Sequence, residues 1–136
     1  MSYDLMVFDP GVAPLDRPGF MIWYENLTEW DEGHGYDDPV VSTPALRSWF
    51  LEMIREYPAM NGPYAVDDVD NPKLTDYSVG QTAIYACFAW SECENAYRAM
   101  ITLPRKHGVA FFDVSGSNGQ VWVPGSNKDY VCVLDG

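Results

Sequence analysis

The stretch that decides the fold is residues 82–114, TAIYACFAWSECENAYRAMITLPRKHGVAFFDV. Residues 77–90 contain a predicted strand, and its strongest part is residues 82–90. The SECE motif at 91–94 is a capping box, in which Ser is the cap and Glu the reciprocal acceptor, and it predicts a helix over 92–107. A second apolar strand follows at 109–114. Together these elements predict a right-handed βαβ unit.

The predicted helix over 92–107 has a clear inner face and a clear end. Pro104 is expected to kink its last turn. The basic residues 105–107 suit the negative end of the helix dipole, and Gly108 is the predicted C′ residue. The inward residues are predicted to be Ala96, Tyr97, Met100, Ile101 and Leu103.

Toward the N-terminus, Tyr3–Asp9 predicts a short strand that ends at Asp9-Pro10-Gly11. Asp16 is the expected N-cap of a first helix. Apolar residues then recur at helical spacing. They are Phe20, Trp23, Tyr24, Leu27 and Trp30. Residues 31–38, with four acids and two glycines, predict a loop.

A second helix is predicted over 44–57, with Thr43 as N-cap and Pro44 as the first helical residue. One apolar stripe runs along it, and Pro58 ends it. The stripe is Leu46, Trp49, Phe50, Met53, Ile54 and Tyr57. Residues 58–73 read as a long connection rich in turn residues.

The C-terminal part predicts a hairpin. Residues 115–119 form the turn and 120–123 the returning antiparallel strand. Residues 128–135 read as a short edge strand or a tail. The predicted fold is therefore α+β, a mixed, mostly antiparallel sheet with helices packed on one face and one βαβ unit. We expect a single domain over 1–125, with 126–136 as the tail or edge strand.

The charge is unevenly distributed. The chain of 136 residues has a formal net charge of −12. Residues 25–70 hold eleven acids and two arginines, a net charge of −9. Such a field repels nucleic acid and anionic membranes and attracts basic partners, although acidic surfaces also serve solubility alone.

No run approaches the roughly 18 apolar residues that span a bilayer. The three cysteines are scattered and odd in number, which favours a reducing compartment. The sequence thus predicts a soluble cytoplasmic protein that binds neither nucleic acid nor membrane.

Motifs for chemistry are missing from the sequence. No metal-ligand spacing is present, and no phosphate-binding loop. Cys93 is the one candidate nucleophile, because a helix start lowers a thiol pKa, but Glu92 and Glu94 oppose that effect and a core thiol is the alternative. We therefore expect no catalytic residues, no metal, no cofactor and no enzymatic activity.

The pattern that points to function is aromatic residues among acids. Aromatic rings surrounded by carboxylates are typical of an interface with a basic partner, although such aromatic rings can also cover the edge of a core. The predicted partner-binding residues are Trp30, Asp31, Glu32, Tyr36, Asp37, Asp38, Tyr64, Asp67, Asp68 and Asp70.

Several segments resemble a family of short acidic bacterial proteins with no established reaction. The segments are Ser2–Pro10, Tyr36–Pro39, Cys87–Glu92, Lys106–Gly116 and Val121–Gly125. The likeness spans residues 2–125, and Pro104 departs from the helical residue expected there. Members of such families look like immunity proteins that accompany polymorphic toxins, including those of type VI secretion and Rhs systems.

The resemblance implies an immunity protein that binds a cognate toxin with a basic surface. Two alternatives stay open. One is a small enzyme or ligand-binding domain, with a closed pocket holding Cys93, His107 or Asp113. The other is a homodimeric adaptor with a flat apolar face.

The missing ligand spacings give a first prediction. Purified protein should carry no stoichiometric metal, because no cluster of His, Cys or carboxylate residues is spaced to hold one. Elemental analysis checks this. One tightly held zinc or iron per chain would contradict the expectation.

Overall fold

A computed structural model describes residues 2–68, 70–125 and 129–135. Helices and strands alternate irregularly along these residues. The elements are β1 Ser2–Phe8, α1 Arg17–Leu27, α2 Pro44–Met53, β2 Asp76–Val79, β3 Ala83–Ala89, α3 Cys93–His107, β4 Ala110–Phe112, β5 Val121–Pro124 and β6 Tyr130–Leu134, with short 3-10 turns at Pro39–Val41 and Trp90–Glu92.

The strands form one six-stranded sheet in the order β2-β3-β1-β4-β5-β6, with every neighbouring pair antiparallel. The predicted α+β class is confirmed. Because β3 and β4 both run antiparallel to β1, they are parallel to each other, and α3 is the crossover between them. The predicted βαβ unit therefore exists, but β1 lies between its two strands.

β1 explains the layers of the fold. Leu5, Met6, Val7 and Phe8 are all fully buried. Successive side chains of a strand point to opposite faces, so both faces of the sheet need a cover here.

The helices divide between these two faces. α2 and α3 pack on the face of Leu5 and Val7. α1 packs on the opposite face, where the Phe20 ring lies 5.8 Å from the Phe8 ring and 4.9 Å from the Phe112 ring. The predicted placement of helices on one face thus holds for α2 and α3, and α1 departs from it.

The helix ends follow the predicted signals in part. Asp16 caps α1 by accepting a hydrogen bond from the Gly19 amide at 2.9 Å. Gly108, with φ of 71°, ends α3, which runs through Pro104 without interruption. The predicted capping box is wrong, because Ser91 lies within the Trp90–Glu92 turn that precedes α3. Neither this turn nor α3 has a side-chain cap at its N-terminal end.

α2 is shorter than predicted and ends at Met53. Tyr57 nevertheless stays buried, and its carbonyl accepts a hydrogen bond from the Tyr77 hydroxyl at 2.7 Å. Thr43 occupies the N-cap position, but its hydroxyl donates to Asp9 Oδ1 at 3.0 Å instead of capping the helix.

Two strands extend the predicted sheet at its edges. β2 was not predicted as a separate strand, and it pairs with β3 over Asp76–Val79. β6 pairs with β5 as an edge strand, the first of the two readings of the C-terminal segment. Residues 126–128 and 136 of that segment, and Met1, lie outside the described residues.

Trp49 gives a direct test of the core. Its side chain is fully buried, with the ring centroid 6.3 Å from that of Tyr77. Trp49→Ala should lower the free energy of unfolding by about 3–5 kcal/mol, as large core truncations do.

Leu51 on the same helix is 38% exposed, so Leu51→Ala is the matched control. It should cost less than about 1 kcal/mol. Urea unfolding followed by circular dichroism measures both variants. Equal midpoints for Trp49→Ala and the wild-type protein would show that α2 does not face the core.

Candidate functional site

The segment after α1 turns sharply at Trp30. The helix ends at Leu27, so Trp30 does not belong to it as the spacing had predicted. Trp30 has φ of 54°, the left-handed region, which bulky residues rarely adopt. This turn brings its ring edge-on to Tyr36, with centroids 5.2 Å apart, and to Tyr85, at 6.2 Å. Trp30 is consequently half-buried rather than a protruding anchor.

Glu32 and Tyr36 fasten this loop to the turn between β2 and β3. The Glu32 amide donates to the Tyr36 hydroxyl at 2.6 Å. Glu32 Oε1 accepts from the Gln81 amide at 3.0 Å, and the Tyr36 carbonyl accepts from the Val79 amide at 2.8 Å. Glu32, predicted to face a partner, thus holds the loop in place.

His34 adds a charge-dependent contact to the same loop. Its Nδ1 lies 2.7 Å from the Gly35 carbonyl oxygen and its Nε2 lies 2.7 Å from Glu32 Oε1. Both ring nitrogens therefore face acceptors, which favours the imidazolium form with two donors. The Gly35 carbonyl, followed by the Glu32 carboxylate, raises the pKa of His34.

Most of the other predicted acids face solvent. Asp31, Asp37, Asp67, Asp68 and Asp70 are exposed. Asp38 is half-buried, and its carboxylate accepts a hydrogen bond from the Val40 amide at 3.0 Å, which caps the Pro39–Val41 turn. Val69, inside the predicted 67–70 cluster, lies outside the described residues.

The two acidic segments approach each other at Gly62. A Cβ atom built on Gly62 would lie 2.1 Å from the Asp37 carbonyl oxygen, and Gly62 has φ of 87°. Only glycine satisfies both conditions without strain. The backbone at Asp37 thus lies directly against the loop that leads to Asp67 and Asp68.

Tyr64 lies on that loop and is 44% exposed, with its ring centroid 6.2 Å from that of Phe50 on α2. The Val66 amide donates to the Ala59 carbonyl at 3.3 Å, which closes the loop on itself. The loop therefore presents Tyr64 from a compact frame.

Other exposed apolar residues share these loops and were missed by sequence reasoning. They are Val40, Met60 and Val66. Val40 is 66% exposed although it directly follows the acidic motif at 36–39. An apolar residue inside a Pro-, Gly- and Asp-rich loop was the available signal. Together with Tyr64 these side chains give the acidic loops an apolar component.

Two of the residues named for an enzymatic site, Cys93 and His107, lie far apart. Cys93 and His107 are the first and last residues of α3, which has 15 residues, so they lie roughly 20 Å apart. His107 Nε2 lies 2.9 Å from Glu52 Oε1, while Cys93 lines an open groove with Tyr3. No nucleophile–base pair forms between Cys93 and His107.

Asp113, the third of these residues, follows β4. Burial raises the pKa of Asp113, and the Gly116 amide partly offsets that rise. Its Oδ1 is buried without a hydrogen-bond partner among the described residues.

An unpredicted cleft of about 320 Å³ opens on the α1 face of the sheet. It lies between the end of α1 and strands β2 and β3. Its lining residues are Tyr24, Thr28, Trp30, Ser78, Tyr85 and Cys87. They come from three separate parts of the chain, which is why no local motif announced the cleft.

Within residues 2–68, 70–125 and 129–135, no three His, Cys, Asp or Glu side chains are grouped to hold a metal ion. No helix in the same ranges is long and apolar enough to cross a membrane. Comparison with protein-family models, curated proteins and solved structures finds no match to the chain.

His34 gives a pH prediction. Because its pKa is raised in the folded state, its contribution to stability is complete below the ordinary histidine pKa of about 6.5 and is lost as pH rises through the raised value. We expect the protection of the Gln81 amide against exchange, relative to its intrinsic rate at each pH, to fall as pH rises through that value, since Glu32 contacts both groups.

NMR titration of the imidazole, with hydrogen exchange at each pH, makes the measurement. Glu32→Gln should lower the pKa of His34, because it removes the carboxylate. A His34 pKa at or below the ordinary value in the wild-type protein would refute the assignment of these contacts.

Proposed function

We propose that this chain is an immunity protein, which binds a cognate bacterial toxin domain through its acidic loops and neutralises it. The observation that carries the proposal is the joining of two exposed acidic segments at Asp37 and Gly62, beside exposed apolar side chains. The family resemblance over residues 2–125 points to the same role. We define the acidic surface by its exposed members, Asp31, Asp37, Asp67, Asp68, Asp70, Val40, Met60, Tyr64 and Val66.

Electrostatics supports a basic partner. The region 25–70 carries a net charge of −9 out of −12. A one-sign surface of this kind steers an oppositely charged protein and raises the association rate, an effect that salt weakens. Toxin domains that act on nucleic acids or nucleotides need basic clefts, so an acidic surface complements them.

The loops are also held in place before binding. Glu32 and Tyr36 fix the first acidic loop on the sheet, and the Ala59–Val66 hydrogen bond closes the second. Ordered loops lose less conformational entropy on association, which favours affinity. Tyr64 fits the role of an anchor, because a partly exposed ring offers a large apolar area with one polar tip.

The positions of the predicted residues do not favour either alternative, the small enzyme or the homodimeric adaptor. The enzymatic reading relied on Cys93, His107 or Asp113, and the first two are at opposite ends of α3. The homodimeric adaptor stays a prediction, and the size of the purified protein in solution distinguishes it.

The test is co-expression with the toxin candidate encoded next to this chain. The variants are the double reversals Asp31→Lys with Asp37→Lys, and Asp67→Lys with Asp68→Lys. Each should slow association by about tenfold or more at low salt, because like charges then meet across the interface. Stopped-flow binding and survival of the toxin-expressing cells are measured together.

The matched control is Glu94→Lys with Asp129→Lys, which makes the same charge change at exposed acids outside the acidic surface. Circular dichroism confirms that every variant folds. If the reversals leave binding and protection intact, the interface lies elsewhere, and the face formed by residues 109–125 is the next to test. If the wild-type protein neither binds nor protects, the immunity role is wrong.

A further inference from the structure

The cleft beside Trp30 differs in chemistry from the acidic surface. Three aromatic rings line it, those of Tyr24, Trp30 and Tyr85, and none of its lining residues is basic. Trp30, one of these rings, has a left-handed backbone conformation. Residues with strained backbone conformations are concentrated at functional sites, because elsewhere the backbone adopts a conformation of lower energy.

A row of polar side chains lies on the sheet beside these rings. Cys87 on β3 pairs directly with Asp76 on β2 and with Asp4 on β1, so the three side chains point to the same face. Asp4 Oδ2 accepts a hydrogen bond from the Tyr85 hydroxyl at 2.6 Å, and Oδ1 accepts one from Ser2 at 2.6 Å. Two carboxylates, on β1 and β2, therefore lie on either side of Cys87, which lines the cleft.

The ionisable groups in the cleft are held neutral. Burial, followed by the charge of Asp4, raises the pKa of Cys87 to about 12. Burial and the hydrogen bond to Asp4 likewise raise the pKa of Tyr85. The negative charge beside the cleft thus comes from Asp4 and Asp76.

Aromatic rings next to carboxylates form a favourable binding site for cations. A guanidinium group within about 6 Å of a ring gains on the order of 1–2 kcal/mol, more when it is desolvated. Arginine also stacks on rings through its plane and is less strongly hydrated than lysine. The cleft volume of about 320 Å³ leaves room for one such group.

We propose that this cleft receives the guanidinium group of one arginine side chain of the partner protein, stacked on one of the two perpendicular rings of Trp30 and Tyr85, with Asp4 balancing its charge. The proposal rests on the proposed function, since it names a contact that a basic partner would make. It places a specific anchor on the α1 face of the sheet, next to the loop that carries Asp31 and Asp37.

The test uses the full chain and the probe peptide acetyl-Gly-Arg-Gly-amide. Its twin carries citrulline, which has nearly the same shape without the charge. Two-dimensional NMR should show saturable shifts of the Trp30 indole and of the Thr28 and Ser78 amides with the arginine peptide, and at least about fivefold weaker binding of the citrulline peptide.

Variants locate the contact. Asp4→Asn removes one charge and should weaken the arginine peptide by about threefold or more, while Trp30→Leu should weaken it by about tenfold. The matched control is Glu94→Gln, a neutralised acid on α3, across the sheet from the cleft. It should bind as the wild-type protein does. Amide spectra establish that each variant keeps the fold.

The outcomes separate this inference from the proposed function. Equal binding of both peptides, or shifts that avoid Trp30, would overturn the arginine site. If charge reversals on the acidic surface abolish protection but the peptide ignores the cleft, the immunity role stands and the arginine site falls. If the peptide binds the cleft but no toxin is neutralised, the arginine site stands and the immunity role falls.

Discussion

The double burial of β1 is the constraint on which the rest of the structure depends. A strand with Leu5 and Val7 on one face and Met6 and Phe8 on the other excludes water from both sides of the sheet centre. Burial of four large side chains contributes roughly 6–12 kcal/mol relative to exposure. Helices must therefore cover both faces, and α1 takes the side that α2 and α3 leave open.

This division of helices also prepares the two candidate surfaces. α1 covers β1 and β4 through Phe20 and Trp23 but ends at Leu27, so strands β2 and β3 keep part of that face uncovered. The loop after α1 folds back over the remaining strands, and Glu32 joins it to the Gln81 amide. The cleft and the acidic loops are thus consequences of a helix that is too short to cover the sheet.

Local sequence signals predicted the helices and most strands, but they did not predict contacts between residues that are far apart in the chain. The stripe on α2, the cap at Asp16 and the left-handed end at Gly108 each depend on neighbours within a few residues, so the sequence predicts them. Glu32 looked like any solvated acid, because its partner Gln81 is 49 residues away. The cleft was hidden for the same reason, since Trp30 and Cys87 meet only after the sheet forms. β2 escaped as a separate strand because most of it belongs to the same predicted strand region, residues 77–90, as β3.

The position of β1 in the chain carries a consequence for how the molecule is made. The strand at the sheet centre precedes its partners, since Ser2 pairs with Ala89 and Met6 pairs with Phe112. On a ribosome that adds roughly 5–20 residues per second, this apolar segment waits several seconds for its neighbours. Sheet assembly is therefore a late, non-local event, and this apolar segment stays without its sheet partners until β3 and β4 have emerged.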